Sequence, residues 1–556
     1  MRTSTAFTLF LVLLLPTVAS IDGRAQGLPL PSGVYAQSAA TLAGRAGYTA
    51  NEPIKCGLAI TAAAERDRPS LSSAEAEALR VLDTRPLHQT SVLSNGFRIH
   101  FDTTGANAPA LLNDQHQRIP GTSYAYVDSV ASMLAYVAAY ESSVLGFLAP
   151  PPDDTLGGGP EYDIYIEELG NLYGLTTPDR ATAEGETSPT FIVIDNDFIF
   201  VFPDSLKGLP GLRVTLAHEY HHAIQIGRYG YRINDLWYHE ITSVWMEDVV
   251  YTGVNDYYSY LRSFDSQFRT PEVPLTSNDY IMYSRGIWGQ YFSKQYGSNA
   301  MLLTWQGIGA SPPVTAIDNV LHAYFQSNLR AAFAQWCLWN HFTGPRADPV
   351  LYYPEGAHFP SMVKLQYDLT VSPRQISSNV GCLGSRYFVI GAGTDTLSVI
   401  VVYTGTGCTL PGPTIPFTLY VARSRLDDAY NGASGGFFIK LSASDPTQWV
   451  LWDAATKGPV GPTVVEGGSF PNPFRPGAGQ VVYFPSVMTA ATVSVYTTDM
   501  ELVYSGYQSS QTYLGRRVFT WNGASHSGEI APTGIYVFVL QGGEKTVTGK
   551  FALVRQ

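Results

Sequence analysis

The chain has 556 residues, too many for one hydrophobic core, so a multidomain protein of about three domains is expected. A net charge of −12 with only 14% charged residues argues against a nucleic-acid partner. Aromatic residues make up 13% of the chain, and the 35 Tyr suit β-rich extracellular domains without choosing a substrate.

Arg2, the apolar run Ala6–Leu15 and Val18-Ala-Ser20 read as a secretory signal peptide over residues 1–20. That run is too short to span a membrane, and no other stretch reaches about 18 apolar residues. The expected product is exported, without a transmembrane segment, and is soluble or held at a surface. Residues 21–94 form an N-terminal segment of modest hydrophobicity, a prosegment or a wrap around the next domain. Ser72 and Glu75 make a capping box there, opening a short helix to about Leu82, ahead of Pro86. The same segment holds Cys56, in Pro53-Ile-Lys-Cys56-Gly57.

Residues 95–365 begin with a predicted strand, Phe97–Phe101, and a helix over about Ser123–Val144, where Val127, Val130, Leu134 and Val137 recur at helical spacing. Pro150-Pro-Pro152 and Gly157-Gly-Gly159 mark a loop, and Tyr162–Ile166 and Phe191–Asp195 alternate as strands. A helix then carries His218-Glu219-Tyr220-His221-His222, with Leu212, Leu216, Glu219, Ala223 and Ile226 at three- and four-residue steps and Gly227 as the expected C-cap. Downstream, Tyr280–Gly297 and Pro313–Phe342 read as helical. Strands first and helices afterwards indicate an α+β domain.

On a helix, residues four apart share a face, so His218 and His222 turn two imidazoles towards one point. Zinc accepts neutral imidazole nitrogen at about 2.0–2.1 Å, and Glu219 stands beside the open position as general base for a metal-activated water. The bland reading is a pair of core histidines. His221 faces elsewhere and reads as a structural group. A third ligand is expected on the next helix, Trp237–Asp248: Glu240 is preferred, and Glu247 lies about 10 Å further along the axis, so only one of them binds. The chemistry this implies is hydrolysis by a metal-activated water. The alternative is a cell-surface adhesin or binding protein whose zinc fold is structural or vestigial.

HEYHHAIQ followed by E-x-x-x-x-W-x-E resembles the gluzincin clan of zinc metallopeptidases, and more narrowly a group of secreted bacterial metalloproteases. The likeness continues in Phe97–Gly105, Tyr162–Tyr165, Ile194–Asp197, Gly286–Trp288 and Trp339–Gly344, so it spans about 95 to 360. It implies zinc-dependent hydrolysis of peptide bonds, with a protein or peptide as substrate, in a zincin (thermolysin-like) fold with His218, His222 and Glu240 as ligands. It also implies an oxyanion donor from the C-terminal lobe, for which Tyr283 is the first candidate, with His341 and His239 behind it. A strand along the cleft should pair with substrate, and Phe191–Asp195 is the expected edge. Two departures stand out. Thermolysin-type members place Asp four residues after the ligand Glu, where this chain has Val244, so support for the ligands must come from elsewhere. Asn113–Pro120 carries amides and a cation where members have a calcium-type loop.

Beyond the catalytic region two all-β sandwich domains are expected. In 366–465, Phe388–Ile390, Leu397–Tyr403, Phe417–Val421, Phe437–Leu441 and Trp449–Trp452 are short β-rich runs, and Cys382 and Cys408 are placed for a disulfide. In 466–556, Phe470–Pro476, Val493–Tyr496, Trp521-Asn-Gly523, Thr533–Tyr536 and Gly549–Leu553 resemble the immunoglobulin-like domain of hook-cap proteins and of type IX secretion sorting domains. That resemblance implies contact with secretion machinery or a cell surface. Cys56 has two readings: a latency ligand to zinc, in a run resembling the Pro-Arg-Cys-Gly of matrix metalloprotease prosegments, or a disulfide with Cys337.

Overall fold

The computed structural model describes residues 33–48, 53–180, 182–367 and 380–390, short strands within 396–459, and most of 469–555. The signal-peptide reading and Cys408 lie outside the described residues. Two compact units result. The first runs to Gly344 and takes in Pro349–Val363 and the stretch ending at Tyr387, and the second holds Pro345–Asp348 and the chain from Phe388 onward. The first has α and β structure and the second is rich in β-sheet.

The first unit is built on a five-stranded sheet of β1 (Thr90–Ser94), β2 (Phe97–Phe101), β3 (Tyr162–Glu167), β4 (Gly174–Pro178) and β5 (Thr190–Asp195), in the order β1-β2-β3-β5-β4. Asn95 and Gly96 both take positive φ, the two-residue turn that an Asn-Gly pair favours between antiparallel strands. β2, β3 and β5 run parallel, and β3 and β5 are buried on both faces, as central parallel strands must be. β5 is therefore interior. The edge is β4, antiparallel to it, so the edge strand lies at 174–178 and not at Phe191–Asp195.

Ahead of the sheet lie α1 (Val34–Leu42), α2 (Gly57–Arg66) and α3 (Ser73–Leu82), the last opened by the Ser72–Glu75 capping box. α4 (Ser123–Ala139) buries Val127, Val130, Leu134 and Val137 and continues into a π-helical turn, Tyr140–Val144. α5 (Leu209–Ile224) packs along β4 and β5, starting with Pro210 in its first turn, where a missing N–H costs nothing. It is buried almost all round rather than on one stripe, so it is a central helix. α5 does not end at Gly227. It passes into a π-helical turn, Gln225–Tyr229, and stops at Gly230, whose φ of 110° suits glycine. Gly227 serves packing instead, since a Cβ there would lie 2.3 Å from Pro151 Cδ.

α6 (Leu236–Val250) packs on α5 and is buried from Leu236 to Glu247. The helix expected over Tyr280–Gly297 is two, Ile281–Ser284 and Ile287–Tyr296. Gly286 and Gly289 bring the second onto α6, where a Cβ would meet Val244 and Trp245 at 2.4 Å. The helix expected over Pro313–Phe342 is also two, Pro313–Phe325 and Leu329–His341. Gln326 takes a left-handed φ of 49° between them, and Asn328 caps the second.

In the second unit, Thr396–Val402 pairs with Thr447–Asp453, and Thr418–Ala422 with Phe438–Ser442. Further on, a three-stranded sheet (Val482–Pro485, Arg516–Trp521, Gln511–Tyr513) and a four-stranded sheet (Leu502–Ser509, Ala490–Thr497, Gly534–Gly542, Lys545–Leu553) share one core. Phe484, Val493, Trp521, Phe538 and Phe551 are among its members. No helix among the described residues is long and apolar enough to cross a membrane.

Candidate metal centre

Three stretches meet at one point. α5 brings His218 and His222 from successive turns, α6 brings Glu240, and the residue preceding α2 is Cys56. One ligand atom from each of the four lies within 4.8 Å of all the others, and all four residues are buried. His218 Nε2 is 3.0 Å from His222 Nε2 and 3.1 Å from Glu240 Oε2, and His222 Nε2 is 3.6 Å from that oxygen. Donor atoms on a tetrahedral zinc with bonds of 2.0–2.3 Å lie about 3.3–3.8 Å apart, so the spacing is close to what such an ion requires.

The placement of the protons leaves lone pairs that could hold a cation. Gln225 Nε2 faces the His239 carbonyl at 3.1 Å, an oxygen that can only accept, so the amide is oriented with Oε1 the other way. His222 Nδ1 lies 2.7 Å from that Oε1 and must donate to it, as must His239 Nδ1 at 3.0 Å. His218 Nδ1 donates to Glu247 Oε1 at 2.7 Å. In the neutral rings both Nε2 atoms are then bare lone pairs, turned towards each other and towards a carboxylate. Burial opposes charge on His218, yet its bonds to Glu240 and Glu247 hold it up at about 9. Burial also opposes ionisation of Glu240, but His222 and His218 hold it down at about 2. Two imidazoles, a carboxylate and a thiol, all buried and within reach of one point, form a donor set that could hold a divalent cation such as zinc.

Glu219 is fully buried beside the cluster. Its Oε2 accepts from Thr176 Oγ1 of β4 at 2.7 Å, and its Oε1 has no hydrogen-bond partner among the described residues. Burial raises its carboxyl above the ordinary range while His218 and His222 pull the other way. Gly174 leaves it room, since a Cβ there would stand 3.2 Å from Glu219 Cγ.

Glu240 and Glu247 divide the work: Glu240 joins the cluster and Glu247 holds His218 from behind. Gln225 and Glu247 thus give the support that Val244 cannot. Glu247 also pairs with Lys55 at 2.9 Å, and Lys55 with Asp256 at 2.7 Å, all three buried. Burial works against the ammonium, but Asp256 and Glu247 more than offset it. Tyr283 is buried, within electrostatic reach of Glu240 and Cys56, and accepts a hydrogen bond from Tyr48 at 2.9 Å. His239 is occupied with Gln225, and burial first of all lowers it to about 3. His341 meets Phe342 edge to face. His221 turns to Glu141 at 2.7 Å, away from the cluster. Arg118, in the stretch that departs from a calcium loop, bonds Asp197 at 2.6 Å and Asn196 at 3.1 Å, so a guanidinium sits among those acceptors.

Sequence reasoning missed Gln225, Thr176, Lys55, Asp256 and Tyr48. Gln225 had a signal, three residues after His222 on the same helix, whereas the others arrive through tertiary contact alone. Cys56 and Cys337 are free and Cys382 is disulfide-bonded, which removes the Cys56–Cys337 bridge.

No protein-family model matches the chain, and no curated protein matches it. Among solved structures, the chain is similar over a short stretch to PorZ of Porphyromonas gingivalis, described as an essential bacterial surface component of the type-IX secretion system. The identity is 19%, over 19% of this chain and 15% of that one, with a TM-score of 0.14, a likeness too slight to show a shared fold.

Proposed function

We propose that the first unit is the catalytic domain of an exported zinc endopeptidase of gluzincin type. The observation that carries this reading is the convergence of His218, His222 and Glu240 with a buried, half-unpartnered Glu219 beside them. Zinc held by those three residues supplies Lewis acidity towards a carbonyl and acidifies water. Glu219 takes the proton as water adds to the peptide carbonyl, and returns it to the amine as the C–N bond breaks. Thr176 fixes that carboxylate, and Tyr283 donates to the oxygen that gains charge. The edge of β4 gives an extended substrate backbone a strand to pair with.

A structural zinc site in an adhesin is the second reading, and one observation favours it: with Cys56 the donors number four, as in closed structural sites. Glu219 has no task in such a site. The paired sheets of 474–553 suit an immunoglobulin-like module that meets secretion machinery or a cell surface.

Glu219→Gln is the test, in the intact chain and in the chain cut ahead of residue 75. It is expected to keep the metal and to lose hydrolysis by about 10²–10⁴-fold. Proteolysis near the wild-type rate in the cut variant would sink the mechanism.

A further inference from the structure

We infer that the stretch holding Tyr48 and Ile54–Arg66 is a built-in plug of the metal site, with Cys56 as the ligand that keeps it shut. The inference rests on the peptidase reading and names how that site is regulated. Cys56 Sγ is the fourth donor of the cluster, where a thiolate bound to zinc at about 2.3 Å leaves no position for water. The thiol is not alone in covering working groups. Ile54 N donates to Asn171 O at 2.8 Å and Tyr173 N donates to Ile54 O at 3.0 Å, so the chain adds itself to the edge just ahead of β4. That single parallel bridge uses the same backbone groups an extended peptide added to this edge would use. Lys55 occupies Glu247 and Asp256, and Tyr48 occupies Tyr283. Behind Cys56, α2 is buried from Gly57 to Ala64, and Gly57 lies so close to Leu175 of β4 that a Cβ would meet it at 2.5 Å.

The way out is also built in. Asp67–Ser72 is the mostly exposed link between the plug and α3. Beyond it the chain is fixed, because Arg85 is buried against Asp153, Asp163 and Asp179 of the sheet region. Hydrolysis of one peptide bond in this link, with one water consumed, breaks the covalent tie between Cys56 and the catalytic unit without unpicking the sheet; release then requires α1 to part from α3 and Arg45 from Glu75.

The test uses residues 21–556 loaded with Co2+ in place of zinc, alongside the zinc-loaded chain. The intact cobalt protein should show sulfur-to-cobalt charge-transfer absorption, and Cys56→Ala should bind cobalt without it. Casein hydrolysis by zinc-loaded Cys56→Ala, or by a chain cut at a specific-protease site placed at Pro69–Leu71, should exceed that of the intact chain by about a hundredfold, as for a plug seated in 99% of molecules. If Cys56→Ala melts as an unfolded chain, the cut chain decides the activity question. Absence of the sulfur band, or an intact chain as active as the cut one, overturns the plug and leaves the peptidase reading standing. A sulfur band with every form silent overturns both, and makes Cys56 the fourth ligand of a structural site.

Discussion

Gln225 serves the centre with both ends of its amide. The nitrogen is held by α6, and the oxygen fixes the proton of His222 on the side away from His218 Nε2 and Glu240. Gln225→Leu is expected to weaken zinc binding about 10–100-fold, as losses of such supporting groups do, with the fold intact. Glu247→Ala should act alike through His218, and Glu240→Ala should cost more, because it deletes a donor. Competition with a chromophoric chelator gives the order, and a larger loss for Glu247→Ala than for Glu240→Ala would exchange their roles. This is also where the sequence was most legible. His218, Glu219 and His222 announce themselves by helical spacing, and Glu240 by its distance along the next helix. Lys55 reaches Asp256 across 201 residues and Thr176 reaches Glu219 across 43, and no local pattern encodes either meeting.

The sheet shows the same division between local and tertiary signals. β2, β3 and β5 could be read from apolar runs, and the Asn95-Gly96 turn that fixes β1 was available as a hairpin signal. β4, reading Gly-Leu-Thr-Thr-Pro, has neither an apolar run nor a clear alternation, so the edge was assigned to its neighbour. Arg85 ties the incoming chain to this sheet. Arg85→Met would leave three buried carboxylates without their cation and should cost about 3–5 kcal/mol, read from urea denaturation. A change under about 1 kcal/mol would show the network to be dispensable. At the ends of β3 and β5, Glu167 faces Asp195 across the strands, and burial first of all raises each to about 8. Between about pH 4.5 and 8 the folded form keeps a proton on Glu167 that the unfolded chain has lost, so its contribution makes stability fall as pH rises through that window. Glu167→Gln should flatten that slope and raise the melting temperature at pH 8 relative to pH 5. An unchanged slope would mean that Glu167 ionises normally.

Across the first unit, stability and metal are linked, because the donors come from three separate parts of the chain and meet only when it is folded. At about 1,000 times the dissociation constant, free zinc adds about 4 kcal/mol to the folded state. Removal by chelator should therefore lower the melting temperature, and zinc should restore it. A melt indifferent to chelator would show that the cluster holds no ion. The sulfur of Cys56 carries a further consequence. Two imidazoles and a carboxylate accept manganese, iron, cobalt or zinc with affinities set mainly by the order of the metals, whereas a thiolate shifts preference towards zinc and away from magnesium, calcium and manganese. On the plug inference, the uncut chain would be the stage at which the metal is chosen. If the plug is cut away as inferred, the remaining donors discriminate less, and the processed protein would inherit its ion rather than select it. Metal identity in the product would be a record of where the chain folded, not of where it works.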